Sequence, residues 1–360
     1  MHDIVILGGG IAGLSAGVLA QLHGKKALVF NDEKSRHNSG HGFILQQNGM
    51  NVLEQLRLGE KARTLGHEIT NFELRSAAGN LLYQTKLNGV YGFLRKNFIT
   101  MLESGINPSM LQNGKRVKNI AMEPQTKKIS SIILEDGSAI SARLFIDAAG
   151  KKSLLRKILF PNLQLFPGKV SEILCTIHSS DIAKKLKGTF IKFSQEEGNL
   201  SVGLVPCNED TLVWYCQFNA QIYANMPNTP SAIETFCYKH LAQWCPLIQK
   251  VLECTDFNSA YLWNTEDFDL LPYLHGENCV LVGDAAHLFL TFTSQGVSSA
   301  LQDIQILFNS LLLPYDLPQA LENYTQLRIP ELKRILLSGR ELRDKFFQPL
   351  TKFNTIVPLC

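Results

Sequence analysis

Two rhythms of apolar residues divide the chain. Short unbroken apolar runs mark strands buried on both faces, and stretches with apolar positions three or four apart mark helices. Asp3-Ile4-Val5-Ile6-Leu7 is the first strand, Leu14 to Leu22 a helix ended by His23-Gly24, and Lys26 to Phe30 a second strand. Phe43-Ile44-Leu45 predicts a strand and Gly49 to Leu56 a helix, after a polar loop over Ser35 to Gly42. Ile69 to Leu82 and Thr85 to Leu94 predict strands of a different sheet, and Arg95 to Ser104 returns to helix. Val117 to Leu134 predicts a hairpin turning at Gln125 to Lys128, and Leu144 to Ile146 a further buried strand before a helix that carries Arg156. From Gly168 to Leu262 the pattern is β-rich, with strands at Ile173 to His178, Thr189 to Phe193 and Leu212 to Phe218 and one helix over Ala232 to Cys245. Cys279 to Val282 is again a buried strand, and Gly296 to Leu313 and Leu317 to Phe346 are helical.

The first strand runs directly into Gly8-Gly9-Gly10-Ile11-Ala12-Gly13, a GxGxxG between strand and helix. Each glycine has a mechanical task in a Rossmann-like dinucleotide site. Gly8 allows the tight turn, Gly10 lets the backbone approach a pyrophosphate, and Gly13 lets the helix press on the strand. The helix N-terminus offers free N–H groups and a positive dipole end to that pyrophosphate. An acid for the adenosine ribose is expected about 20 residues further on. The strand ends there in Asn31-Asp32-Glu33. Asn31 occupies the strand end with an uncharged amide, and Asp32 or Glu33 takes the role if the strand runs one residue longer.

Composition narrows the field only modestly. At 360 residues, 45% hydrophobic and 19% charged, the chain buries an ample core. A net charge of +3 on a chain of this size is too weak to argue for nucleic acid or an acidic membrane as partner. No apolar stretch reaches the length of a membrane span, and no signal peptide precedes the first strand, so a cytoplasmic location is expected. The eight cysteines form no CxxC and no metal-ligand spacing, and read as reduced thiols.

Taken in order, five further stretches resemble the single-component (group A) flavin-dependent aromatic hydroxylases, the para-hydroxybenzoate hydroxylase-like family. They are Gly40-His41-Gly42-Phe43-Ile44-Leu45-Gln46-Gln47-Asn48-Gly49-Met50, the helix opening at Leu94-Arg95, and Asp147-Ala148-Ala149-Gly150-Lys151-Lys152-Ser153-Leu154-Leu155-Arg156. Next come Gly283-Asp284-Ala285-Ala286-His287, continued by Gln295-Gly296 and Asp303, and the closing Tyr324 to Pro330. The resemblance implies an α/β fold: a Rossmann-like FAD-binding domain with an inserted β-sheet substrate domain and C-terminal helices. The expected division is 1–167, 168–268, 269–315 and 316–360. It implies non-covalent FAD held by Gly8, Gly10, Ile11, Ala12, Gly13, Asn31 or Asp32, Arg95, Val117, Asp284, Gly296 and Val297.

The same resemblance implies an FAD monooxygenase, monomeric or homodimeric. Its co-substrate is NADH or NADPH, and it acts through a flavin C4a-hydroperoxide on a small aromatic or polyketide-like molecule. Departures from the family pattern fall at sites of mechanism. Ala149 replaces an aspartate linked to NADPH use, Thr291 a proline, Ser294 a glycine and Ser298 an asparagine, while Gln47 stands at the usual proline. The alternatives are a reductase or halogenase of the same superfamily, or a flavin-binding protein without catalysis. Trp214, Trp244 and Trp263 are scattered and form no halogenase tryptophan motif. Gln46, Thr291 and Ser298 are expected near the flavin. Trp214 and Tyr215 alternate on a strand, so one faces a substrate cavity and the other solvent, or both pack in the core. His287 reads as packing beneath the nucleotide loop rather than as a base. Lys151, Lys152 and Arg156 read as a solvated helix start, with attraction of a nicotinamide dinucleotide phosphate as the alternative. No residue set supports a metal site.

Overall fold

The computed structural model describes residues 2–32, 41–223 and 227–350. Among these, the first half of the chain carries β1 (His2–Leu7), α1 (Ile11–Leu22), β2 (Ala27–Asn31), β3 (Gly42–Leu45), α2 (Gln47–Gln55), α3 (Gly59–Leu65), β4 (His67–Glu68), β5 (Asn71–Ser76), β6 (Leu81–Lys86), β7 (Tyr91–Leu94) and α4 (Arg95–Glu103). Then follow β8 (Leu111–Asn113), β9 (Val117–Met122), β10 (Ile129–Leu134), β11 (Ala139–Ile140), β12 (Ala142–Asp147) and α5 (Leu154–Leu159). The second half carries β13 (Phe166–His178), α6 (Ser180–Leu186), β14 (Thr189–Ser194), β15 (Leu200–Pro206), β16 (Thr211–Asn219), α7 (Pro230–Leu241), α8 (Pro246–Glu253), β17 (Tyr261–Asp267), β18 (His275–Gly276), β19 (Cys279–Leu281), α9 (Gly296–Leu311) and α10 (Leu317–Phe346).

The nucleotide-side sheet has the order β18-β19-β12-β1-β2-β8, with β1 parallel to both β2 and β12. The run Ile4 to Leu7 is buried, as a parallel sheet covered on both faces requires. The second sheet has the order β17-β13-β16-β15-β14-β5-β6. It therefore draws β5 and β6 from the first half of the chain, ahead of the expected boundary at 168, through a parallel pairing of β5 with β14. One face of it packs against α7 and α8 around Ile173, Phe193, Trp214 and Phe218. The expected single helix over Ala232 to Cys245 ends at Leu241 because Pro246 opens a new one. The residue before a proline is pushed out of the helical region, and proline fits the first turn of the next helix.

α10 is pinned by its closing motif. The Tyr324 hydroxyl donates to the Leu281 carbonyl at 3.1 Å, and Arg328 Nε donates to Asp303 at 2.7 Å. Asp303, on α9, also accepts the Gly283 N–H and His287 Nε2, each at 2.7 Å. Burial alone would push this carboxyl up, but His287, Arg328 and the Gly283 N–H outweigh burial and hold it below the usual carboxylate range. Among the described residues, no helix is long and apolar enough to cross a membrane.

Arg328→Met leaves Asp303 buried without its cation and should destabilise the fold by about 3–5 kcal/mol, read by urea denaturation. The Asp303 contribution is present above the ordinary carboxylate value of about 3.9 and is lost as pH falls through its lower folded value. Asp303→Asn should therefore lower stability near neutrality and flatten its decline in acid. An unchanged acid limb would remove Asp303 from this role.

Candidate functional site

At the nucleotide end, Gly8 has φ +108°, and a Cβ there would meet the Ala148 carbonyl at 2.4 Å. A Cβ on Gly13 would sit 1.8 Å from the Gly8 carbonyl, so α1 and the end of β1 approach only because both residues are glycine. A Cβ on Gly10 would meet nothing within 4 Å, so the backbone there borders open space. Gly10 caps α1 without any side-chain hydrogen bond. Ile11 and Ala12 are buried and offer that space only their backbone. Asn31 closes β2 beneath Gly9, where a Cβ would lie 2.5 Å from its Cγ. Its Nδ2 is buried and has no hydrogen-bond partner. A buried donor left unpaired is costly, which points this amide at a ligand oxygen. Asp32 instead lies 3.8 Å from Arg116, and that contact draws the start of the β9 hairpin, with Val117, toward the end of β2. Glu33 and Gly40 lie outside the described residues.

The middle of the cleft is built by two loops held together from behind. Asp147, buried at the end of β12, accepts the Ala149 N–H at 2.9 Å, the Ser153 hydroxyl at 2.8 Å and the Leu155 N–H at 3.1 Å. Arg156 is not part of a solvated helix start. It is buried over the Phe268 ring at 4.9 Å and donates to the carbonyls of Gly150, Lys151, Asp284 and Ala285. A guanidinium with several donors in one plane satisfies loop carbonyls that no strand or helix would pair. Lys151 and Lys152 are exposed, and Lys151 pairs with Glu266. Asp284 keeps exposed surface although protein surrounds it, as expected of a group lining a cleft. Burial pushes its carboxyl up, against the pull of His287, Arg95 and Arg156. Arg95, at the start of α4, is similarly enclosed, and burial lowers its affinity for its proton while Asp284 raises it. His287 lies beneath this loop, bonded to Asp303 and stacked on Phe289 at 4.7 Å.

At the flavin end, α9 begins at Gly296 with no side-chain cap, and a Cβ on Gly296 would meet nothing within 4 Å. Ser294, just before it, takes φ +52°, a left-handed conformation that explains why glycine suits the position. The Gln46 amide donates to the Thr293 carbonyl at 2.9 Å and accepts from Gln295 Nε2 at 3.0 Å. Ser298 is buried, its hydroxyl 3.4 Å from the Gln46 N–H. Gln46 and Ser298 thus brace the loop before α9.

Trp214 belongs to neither the cavity nor the solvent. The α7 and α8 side of the second sheet buries it, because that face is roofed by helices. Tyr215 points the other way, toward the cluster that holds Ile44 of β3 and Val90, where it lies enclosed but accessible. The same face carries a buried polar group that sequence reading missed. Lys192 Nζ donates to Gln217 Oε1 at 2.9 Å, and Gln217 Nε2 donates to Glu172 at 2.6 Å. The Thr291 hydroxyl also donates to Glu172. Lys192 lies 5.6 Å from the Phe292 ring centroid, and burial brings its pKa down to about 8. Glu172 is raised by burial, against its bonds to Thr291 and Gln217 and the charge of Lys192. In sequence these residues are polar positions of alternating strands, which ordinarily face water.

The pieces fit FAD. The open backbone at Gly10, the orphaned Asn31 amide, Asp284 with the charge of Arg95 acting on it, and the uncapped N-terminus of α9 are groups of the kind that the pyrophosphate, ribose, ribityl chain and ring of FAD would need. The model of a family described as "FAD binding domain" matches residues 1–337. The 3-amino-4-hydroxybenzoate 2-monooxygenase of Streptomyces cremeus is 24% identical, over 96% of this chain and 88% of that protein. HpxO of Klebsiella pneumoniae, solved with FAD and uric acid, superposes with a TM-score of 0.87 at 20% identity, covering 96% of this chain and 89% of that one. PqsL of Pseudomonas aeruginosa, solved with 2-aminobenzoylacetate, gives 0.82 at 18% identity over 98% of each chain. The chain belongs to the FAD-binding, para-hydroxybenzoate hydroxylase-like (group A) flavoprotein monooxygenases.

Proposed function

We propose that this flavoprotein uses NAD(P)H and O₂ to hydroxylate a planar small molecule, aromatic or polyketide-like, bound between the Tyr215 face of the second sheet and the N-terminus of α9. The observation that carries this reading is an unpaired buried Asn31 amide, an Asp284 that keeps exposed surface, and two helix starts without a side-chain cap, with the Gly283 turn packed against Ala12 of α1 and Ala300 of α9. FAD, when bound, supplies the redox and oxygen chemistry. The chain's own residues bind, orient and exclude water. The N–H groups of the first turn of α1 receive the pyrophosphate, and Asn31 donates to a ribose oxygen. Arg95 neutralises phosphate charge, and Asp284 accepts a ribityl hydroxyl. The N–H groups of Gly296 and Val297 stabilise negative charge developing at the ring edge.

The substrate side supports the same reading. His41 and Thr176 are joined by a 2.9 Å hydrogen bond, so the segment before β3 closes onto the second sheet. That contact limits water in the space where a substrate ring must be oriented. Ala149, exposed beside Gly8, leaves this turn without the carboxylate found in relatives of the family, so reduction by NAD(P)H should be slow until substrate is present.

Purified protein should be yellow, with FAD released intact by acid. Asp284→Ala should weaken FAD binding about ten- to a hundredfold, the worth of a charge-assisted hydrogen bond, and Asn31→Ala only a few-fold. Equal affinities for wild type and both variants, by fluorescence titration, would displace FAD from this cleft. Under ¹⁸O₂, with NADH or NADPH and a panel of phenolic and polyketide compounds, the product should gain one labelled oxygen. Turnover of a carbon–carbon double bond without oxygen would assign the chain to the reductases instead.

A further inference from the structure

The buried chain Lys192–Gln217–Glu172–Thr291 is used by nothing derived so far. Placing an ammonium and a carboxylate inside a sheet is expensive, and well-packed apolar residues would serve stability as well or better. The connectivity is also directional. The Gln217 amide turns its oxygen to Lys192 and its nitrogen to Glu172, so it separates the two charges while bonding both. Ser201 donates to the same Gln217 oxygen at 3.3 Å. Glu172 accepts the Thr291 proton and Gln217 Nε2 also reaches the Thr291 oxygen at 3.3 Å, which leaves one of that oxygen's two lone pairs for a further donor. Glu172, Lys192, Gln217 and Ser201 are buried, whereas Thr291 retains accessible surface and sits on the turn that leads to the open end of α9.

We propose that Thr291 receives an acidic O–H or N–H of the substrate and that Glu172, acting through it as a positioning residue, takes up the proton. This rests on the monooxygenase reading above and deepens it by naming a substrate class: rings with an ionisable hydroxyl or ring N–H. In the step, the substrate proton moves to the Thr291 oxygen and the Thr291 proton moves to Glu172. The substrate becomes an anion, Glu172 becomes a neutral acid, and nothing is oxidised or reduced. Lys192 remains a cation and offsets the charge that has moved to the substrate. A ring so deprotonated is richer in electrons and a better acceptor of an electrophilic oxygen. The charged and titratable groups that sense Glu172 are Lys192 on β14 and Tyr215 and Cys216 on β16. From β17 it is flanked by Trp263, and from the turn before α9 by Thr291, neither of which titrates.

The test uses FAD-loaded protein and 4-nitrophenol, whose absorbance reports its ionisation. Bound to wild type, the probe should ionise about one pH unit or more below its ionisation in Glu172→Gln and Thr291→Val. Thr291→Ser, which keeps the hydroxyl, should behave as wild type. FAD occupancy of each variant shows that the cleft is intact. With a hydroxylated substrate, Glu172→Gln should lower kcat at least tenfold with KM little changed, and remove the acid limb of the pH profile. The same probe ionisation in all four proteins, or no binding of nitrophenol to wild type, would overturn the proposal. If the probe behaves as expected but no labelled oxygen enters any product, the monooxygenase reading fails and this assignment stands.

Discussion

A single buried carboxylate organises the cofactor side of the molecule. Asp303 is reached by the Gly283 N–H, His287 and Arg328, which come from the turn after β19 and from α10. Its bonds set the position of the turn that carries Asp284 relative to α9, the helix with the uncapped N-terminus. Three partners around one fully buried acid leave little freedom, since displacing any of them strands a charge away from water. Arg156 acts on the same turn from the opposite side by gathering the carbonyls of Asp284 and Ala285.

The cleft itself follows from what is missing at its edges. Glycine at positions 8 and 13 lets helix and strand meet more closely than any side chain would allow, and glycine at 10 and 296 leaves backbone facing open space. Around that space the protein leaves polar groups incompletely paired, the Asn31 amide most plainly. The second sheet supplies the opposite wall. One of its faces is an apolar core under α7 and α8, and the other carries Glu172, Lys192 and Gln217 where a purely structural sheet would carry hydrocarbon.

Much of the cofactor half was legible because its signals are local. A GxGxxG between an apolar strand and a helix, or Gly-Asp-Ala-Ala-His after one, constrains backbone within a few residues, and the structure realises both as read. The sequence left Asn31, Asp32 and Glu33 open as ribose contacts, and the contacts that distinguish the first two, an unpaired Asn31 amide and an Asp32 that meets Arg116, are tertiary. The bonds of Gln46 and Ser298 were not legible, because their amide and hydroxyl meet partners about 250 residues away. Arg156 looked solvated because its acceptors are carbonyls of a distant loop, which carry no sequence signature.

By itself the sequence determined the element types, the order of the motifs, the FAD family and the glycine positions on which nucleotide binding depends. These are properties of spacing and of backbone freedom, and they hold whatever the distant residues do. Only the tertiary structure decided that β5 and β6 join the second sheet, that Trp214 lies on its helix-covered face and Tyr215 on the other, and that Glu172 and Lys192 are buried. Alternation along a strand shows that two faces exist. Which face is roofed by helices and which looks into the cleft depends on strands and helices far apart in the chain, and their packing is what turns a polar stripe into a buried, polarised site.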